Sequence, residues 1–172
     1  MRGLLYFGGW GMSDDISFRI ARRGDLAGVD ALLARAYPRL LKADYPASVL
    51  VTALPIISRA RPELVVSGSY WVAVLGAEIV GAGGWSPGGS AGFGEVRHLV
   101  TDDRQVRRGI ARGLMCRAMA QAKAAGVRRL ECLSSRTAVP FYAAIGFAVL
   151  GEVEVPLRAG IGFPAVRMIC AL

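Results

Sequence analysis

The chain has 172 residues, with 21 Lys plus Arg against 13 Asp plus Glu, a formal net charge of +8 and an apolar share of 53%. That much apolar surface excludes a disordered polyelectrolyte, the length fits one domain of about 150 residues, and the absence of any run of about 18 apolar residues argues against a membrane span. Cys116, Cys132 and Cys170 form no CxxC or Cys/His cluster, which argues against a disulfide framework or structural zinc and fits a reducing cytoplasm, each thiol reading as a small buried hydrophobe.

Residues 1–15 read as an N-terminal extension. The opening MRGLLYFGGWG shows no periodicity, and Met12 begins a stretch that looks like the start of a domain, so Met12 is read as the initiator, or residues 1–11 as a loose arm. The domain itself is expected over 16–172. Ile16, Phe18 and Ile20 alternate with polar residues, which predicts a strand. Gly24-Asp25 then punctuates, and Leu26, Val29, Leu33 and Ala36 recur at helical spacing to about Tyr37, where Pro38 is expected to end the helix. A second helix is expected from Ala47 to Ala60, kinked or split near Pro55. Tyr70 to Val74 and Glu78 to Gly83 flank a tight turn and predict a hairpin. Residues 86–92 form a Gly-rich loop, and Glu95 to Thr101 a further strand. Arg108 to Ala125 is an amphipathic helix with Ile110, Leu114, Ala118 and Ala122 on one side, ended by Gly126. A strand over Arg129 to Leu133, a short helix over Thr137 to Ala144, and strands over Phe147 to Val155 and Ala165 to Cys170 complete the chain.

This order, β-α-α-β-β-β-α-β-α-β-β, predicts an α/β (α+β) domain: a mixed sheet of about seven strands flanked by about four helices. It lacks the GxGxxG of a dinucleotide fold and the GK[ST] of a P-loop.

The most informative stretch is Thr101-Asp102-Asp103-Arg104-Gln105-Val106-Arg107-Arg108-Gly109-Ile110-Ala111-Arg112, which follows a strand and opens a helix. First-turn amides of a helix have no backbone partners, and with the macrodipole they form an anion site. Gly109 leaves room for a ligand near the backbone, and Arg107, Arg108 and Arg112 can add charge-assisted bonds.

With these residues in view the chain resembles the GNAT superfamily of N-acetyltransferases, whose phosphate loop reads [Q/R]-x-x-G-x-[G/A]. Here Val106-Arg107-Arg108-Gly109-Ile110-Ala111 keeps the glycine and the small last residue, while Val106 replaces the usual Gln or Arg and Gln105 sits one place early. The family's F-Y-x-x-x-G-F is matched by Phe141-Tyr142-Ala143-Ala144-Ile145-Gly146-Phe147. The resemblance covers about Ile16 to Leu172. It implies a mostly antiparallel, splayed sheet with acetyl-CoA as co-substrate, its pantetheine arm lying in the gap like a strand. It also implies backbone contacts from Leu99 and Val100, pyrophosphate contacts from Arg107, Arg108, Gly109, Ile110, Ala111 and Arg112, and a cofactor contact at Thr137, where the family often has Asn.

The same resemblance makes Tyr142 the candidate general acid and a cofactor contact. A phenol with a reference pKa near 10 stays protonated at neutral pH and can donate to a departing thiolate. Two residues compete for the base. Glu95 sits where some relatives carry a catalytic glutamate, and His98, the single histidine, has a reference pKa suited to proton transfer. Strand alternation puts the two on opposite faces unless a bulge intervenes. Tyr37, Tyr45, Trp85 and the hairpin around Phe163 are candidates for the acceptor pocket.

The reading is therefore a cytoplasmic acetyl-CoA-dependent N-acetyltransferase acting on an amine of a small molecule or peptide, with a homodimer kept open. One alternative is a non-catalytic acyl-CoA sensor of the same fold. A second is a basic nucleic-acid-binding domain, which the dispersed arginines and the lack of a helix-turn-helix, RNP-like or zinc motif disfavour. No metal, membrane or nucleic acid is expected at the site.

Overall fold

A computed structural model describes residues 15–172 of the chain. The expectation for the N-terminal extension lies outside them, Asp15 apart. The described chain runs β1 (Ser17–Ile20), α1 (Leu26–Leu41), α2 (Ala47–Ile57), α3 (Pro62–Val65), β2 (Tyr70–Leu75), β3 (Glu78–Pro87), β4 (Phe93–Thr101), α4 (Ile110–Ala124), β5 (Arg129–Ser134), α5 (Val139–Ala144), β6 (Ala148–Arg158) and β7 (Ile161–Ala171). The seven strands form one sheet in the order β1-β2-β3-β4-β5-β7-β6. Every neighbouring pair is antiparallel except β4–β5, which is parallel. The expected mixed α/β sheet is thus present, with a fifth helix: α3 is a single turn opened by Pro62 at its N-terminus, too short to leave a periodic signal.

Alternation sorts the side chains between two layers. Leu130 and Cys132 of β5 and Val166 and Met168 of β7 pack with Met115, Ala118 and Ala122 of α4 and with Tyr142 and Phe147. On the other face Val72, Ala82 and Val100 pack with Val29, Leu32, Leu33 and Ala36 of α1. The stripe Ile110, Leu114, Ala118 and Ala122 of α4 is buried throughout, as a four-residue spacing on one helical side requires.

The first helix corrects the reading of Pro38 as a terminator, and the second runs through Pro55 without splitting, to end three residues short of the expected Ala60. Pro38 lies inside α1, which continues to Leu41, and Pro55 lies inside α2. In each case the residue four positions earlier, Ala34 or Val51, is exposed. That side of each helix is thus at the surface, where water can replace the missing N–H. Cys116 is another correction: Cys132 and Cys170 are buried as expected, but Cys116 is exposed.

The strand β4 is irregular where it matters. Ala82 pairs with Val100, but Gly84 pairs with Arg97, so His98 and Leu99 together oppose Gly83. This is a β-bulge, with His98 at φ 40°. The buried Tyr70 hydroxyl lies 3.5 Å from the His98 carbonyl oxygen, a long contact beneath the bulge. The adjacent Gly84 has no room for a side chain: a Cβ there would overlap the Ser69 carbonyl oxygen and come within 2.7 Å of Tyr70 Cα. Since both obstacles are backbone, Gly84→Ala should destabilise the domain by about 3 kcal/mol, the upper end for overpacking. Thermal unfolding should show a fall of about 6–12 °C for a domain of this size.

Candidate functional site

The sheet parts in its middle. Only Phe93, Gly94 and Glu95 of β4 pair with Arg129, Leu130 and Glu131 of β5. Beyond Glu95 the register gives β4 no partner on that side, although the strand runs to Thr101 and β5 to Ser134. The V-shaped gap between two central strands holds two cavities that meet. The larger, of about 810 Å³, is walled by Leu99, Val100 and Thr101, by the loop ahead of α4, and by Thr137, Ala138, Pro140 and Phe141. The smaller, of about 290 Å³, is walled by Glu95 to Leu99, Glu131 to Ser135, Tyr142 and the β6–β7 hairpin. Tyr37, Leu41, Leu99, Ser135 and Ala138 border both.

The loop ahead of α4 borders the larger cavity with a backbone bent by two left-handed residues. Arg107 (φ 63°) and Gly109 (φ 76°) both adopt the left-handed conformation. Gly109 is the N-cap of α4 and supplies no side chain to cap it. The first turn closes with Gly113 N–H donating to the Gly109 carbonyl at 2.8 Å. The amides of Ile110, Ala111 and Arg112 therefore precede the first helical bond and point out of the helix end. A left-handed backbone with no Cβ and three outward amides at the positive end of a 15-residue helix fits a diphosphate.

Arg107, Gly109, Ile110, Ala111 and Arg112 all border the larger cavity, with Leu99, Val100 and Thr137. Arg108 does not; its guanidinium donates to Gln105 Oε1 at 2.6 Å. The Thr137 hydroxyl donates to Asp44 Oδ2 at 2.6 Å, which ties the turn after β5 to the α1–α2 loop.

Beneath the loop lies a device that sequence reading missed. Asp102 is 0% exposed. Its carboxylate accepts from the Arg104 guanidinium at 2.8 and 3.1 Å, from Arg104 N–H at 2.9 Å and from Arg35 of α1 at 2.6 Å. Its own N–H donates to the Val80 carbonyl at 2.9 Å. These bonds fix the exit of β4, and hence the loop, to α1 and β3. Arg35 and Asp102 are 67 residues apart in the chain, so no local pattern could have paired them.

Tyr142 borders the smaller cavity and is 4% exposed. Its ring packs edge-on against Phe141 at 5.3 Å and Phe147 at 5.2 Å. Burial, with the adjoining Cys132 sulfur, holds its proton well above the ordinary phenol range. Burial likewise pushes the Cys132 thiol up to about 12. Both groups are thus neutral donors at pH 7.

The bulge brings Glu95 and His98 to the same cavity. Glu95 is ion-paired with Arg97, whose Nε also donates to Ser86 Oγ at 2.8 Å. His98 is pushed down to about 4, first by burial and then by the Arg61 and Arg97 charges, against the opposing pull of Glu63. Glu131, which the sequence did not single out, also borders the cavity. Of the aromatic candidates, Tyr37 and Phe163 reach the cavity. Tyr45 instead stacks on Phe163 at 4.7 Å, donates to the Pro164 carbonyl and accepts from Arg136 N–H, both at 2.8 Å. Trp85 packs in the α4 layer and donates to Gln121 at 3.2 Å. Among the described residues no cluster of three His, Cys, Asp or Glu could hold a metal ion, and no helix is long and apolar enough to cross a membrane.

A sheet parted between parallel strands, with an uncapped helix N-terminus at its mouth, is the architecture of an acyltransferase of the GNAT type. The family model for the acetyltransferase (GNAT) domain matches residues 44–172, and the chain belongs to that family. Among solved structures it is similar to a GCN5-related N-acetyltransferase from Rhodopseudomonas palustris, with a TM-score of 0.74 and 20% identity over 91% of this chain and 95% of that one. It is also similar to the PaiA N-acetyltransferase from Thermoplasma acidophilum in complex with coenzyme A, with a TM-score of 0.71 and 14% identity over 92% of this chain and 99% of that one. N-acetylglutamate synthase from Neisseria gonorrhoeae, complexed with coenzyme A and N-acetyl-glutamate, gives a TM-score of 0.64 and 18% identity over 92% of this chain and 35% of that one. No significant match is found among curated protein sequences.

The Asp102 geometry has a measurable consequence. Its carboxyl is held far below the ordinary carboxylate value, mainly by the Arg104 hydrogen bonds and then by Arg35. A depressed folded-state pKa contributes stability above the unfolded value near 4, lost as pH falls below it. Asp102→Asn should cost about 3 kcal/mol at pH 7, because two arginines lose a buried partner. Denaturant titrations between pH 2 and 7 should show a shallower acid decline in the variant than in the wild type.

Proposed function

We propose that the protein is an acetyl-CoA-dependent N-acetyltransferase that moves an acetyl group to a primary amine by direct attack on the thioester. The observation that carries this reading is the gap between β4 and β5, opening onto the uncapped amides of Ile110, Ala111 and Arg112. The coenzyme A complexes of two similar structures support it.

The pyrophosphate would rest on those amides, with Arg107 and Arg112 adding charge and Arg108 bracing the loop through Gln105. The pantetheine arm would run along the unpaired edge of β4, where Leu99 and Val100 offer backbone groups, and pass Thr137. This puts the thioester near Leu99, Ser135 and Ala138, where the two cavities meet. The acceptor amine approaches through the smaller cavity.

Glu95 serves as the base in this scheme. It takes the ammonium proton directly or through a water, and the freed nitrogen lone pair forms the N–C bond. The nitrogen sheds its second proton to water as the C–S bond breaks, and the leaving thiolate receives its proton from Tyr142, directly or through the Cys132 thiol beside it, the tyrosine then being reprotonated from solvent. The elevated affinity of Tyr142 for its proton suits a donor that must stay protonated until the thiolate appears. His98 is the weaker base, since a group pushed down to about 4 holds a proton poorly at neutral pH. The same reading keeps the protein in the cytoplasm and leaves a homodimer open to sedimentation measurement.

Acetyl-CoA at 100 times its Kd should add about 2.7 kcal/mol of stability in a melting experiment, whereas a chain that does not bind it would melt unchanged. Gly109→Val should weaken that binding more than about tenfold, since a β-branched residue resists a left-handed φ and intrudes on the cradle. Tyr142→Phe and Glu95→Gln should each lower kcat by about 10² or more while acetyl-CoA still binds. His98→Gln should cost less than about tenfold, below the usual range for acid–base catalysis, and no wild-type rate limb near pH 6.5 should be traceable to it. Binding without turnover across an amine panel would favour a sensor.

A further inference from the structure

We infer that Glu131 shares with Glu95 the seat for the acceptor's ammonium, and that the acceptor is a small primary amine on an uncharged, apolar body. The inference rests on the acetyltransferase reading and names its second substrate. Glu95 and Glu131 are directly opposed in the parallel register of β4 and β5, and both border the smaller cavity. Like charges placed opposite each other on neighbouring strands are destabilising, yet here two carboxylates meet where the sheet begins to part. Each has one arginine partner: Glu95 pairs with Arg97, and Glu131 with Arg167 through two bonds of 2.9 and 2.8 Å. Of these four side chains Arg97, Glu95 and Glu131 border the cavity, whereas Arg167 holds Glu131 from outside its lining. A carboxylate has about four lone-pair sites, so each retains acceptor capacity after its arginine is satisfied. A cation between them would relieve the repulsion, and an ammonium held there is beside the proposed base.

The remaining walls decide what the amine is attached to. The same cavity is lined by Tyr37 and Ile57 from the helices and Val155, Leu157 and Phe163 from the hairpin, none of which carries a charge. A second ammonium or a carboxylate carried to this apolar wall, away from Arg97, would be desolvated there without a charged partner, at a cost of several kcal/mol. The cavity, about 290 Å³, is at the small end of ligand pockets. It suits arylalkyl or branched alkyl monoamines better than polyamines, amino acids or a lysine within a charged peptide.

The test uses the full chain with acetyl-CoA and four acceptor probes: phenethylamine, putrescine, L-lysine and an acetyl-capped lysine peptide. Acetyl-CoA binding is measured separately by calorimetry, so absence of binding refutes the acetyltransferase reading itself. With binding intact, phenethylamine should exceed the other three in kcat/KM by at least tenfold. Glu131→Gln should raise its KM at least fivefold while kcat stays within twofold and the acetyl-CoA Kd is unchanged. Leu157→Glu, which adds an anion to the apolar wall, should shift preference toward putrescine and tests the same idea should Glu131→Gln fail to fold. Preference for any of the charged acceptors, no turnover of phenethylamine, an unmoved KM in a folded Glu131→Gln, or an unchanged preference in Leu157→Glu would overturn the inference.

Discussion

The structure depends on a sheet that stops pairing in its interior. Backbone N–H and C=O groups are rarely left unsatisfied when buried, and most folds avoid the problem by keeping central strands zipped. Here β4 and β5 hold together for three residue pairs and then separate. The open edges are tolerable because water or a strand-like ligand can occupy them, and the gap lets an extended molecule reach the centre of the domain. In the proposed function, the uncapped start of α4 at the mouth of this gap would make the opening a binding site of defined polarity: anion outside, reacting group inside.

Holding such a gap open requires support from outside it. The Asp102 cluster anchors the exit of β4 to α1 and β3. The bonds of Tyr45 and Thr137 fasten the α1–α2 loop to the turn after β5. The bulge at His98 and Leu99, accommodated opposite Gly83 and beside the crowded Gly84, bends β4 as it leaves β5. Each contact joins elements distant in sequence, so the separation of the strands is a property of the whole domain rather than of the two strands alone.

Much of the frame was legible in the chain because it rests on local signals. The four-residue stripe on α4, the glycine at the start of that helix and the alternation in the strands placed the elements and the anion cradle. What could not be read depends on register and on solvent exposure. Pro38 looks like a helix end until Ala34, four residues earlier, is seen to be exposed. Arg35 is invisible as a partner of Asp102 until α1 lies across the sheet. Nothing in the chain marks Glu131 out within its strand until the parallel register sets it opposite Glu95, and the shared cavity of Glu95 and His98 requires the bulge that alternation alone does not supply. Tyr45 and Trp85 carried aromatic signals that packing absorbs.

The direct test of the gap is amide hydrogen exchange with and without acetyl-CoA. The account predicts slowed exchange along the unpaired edges of β4 and β5, residues 97–101 and 132–134, together with the amides of residues 107–112, while β1 and β6 change little. Slowed exchange elsewhere with no change at these edges, despite demonstrable acetyl-CoA binding, would contradict it.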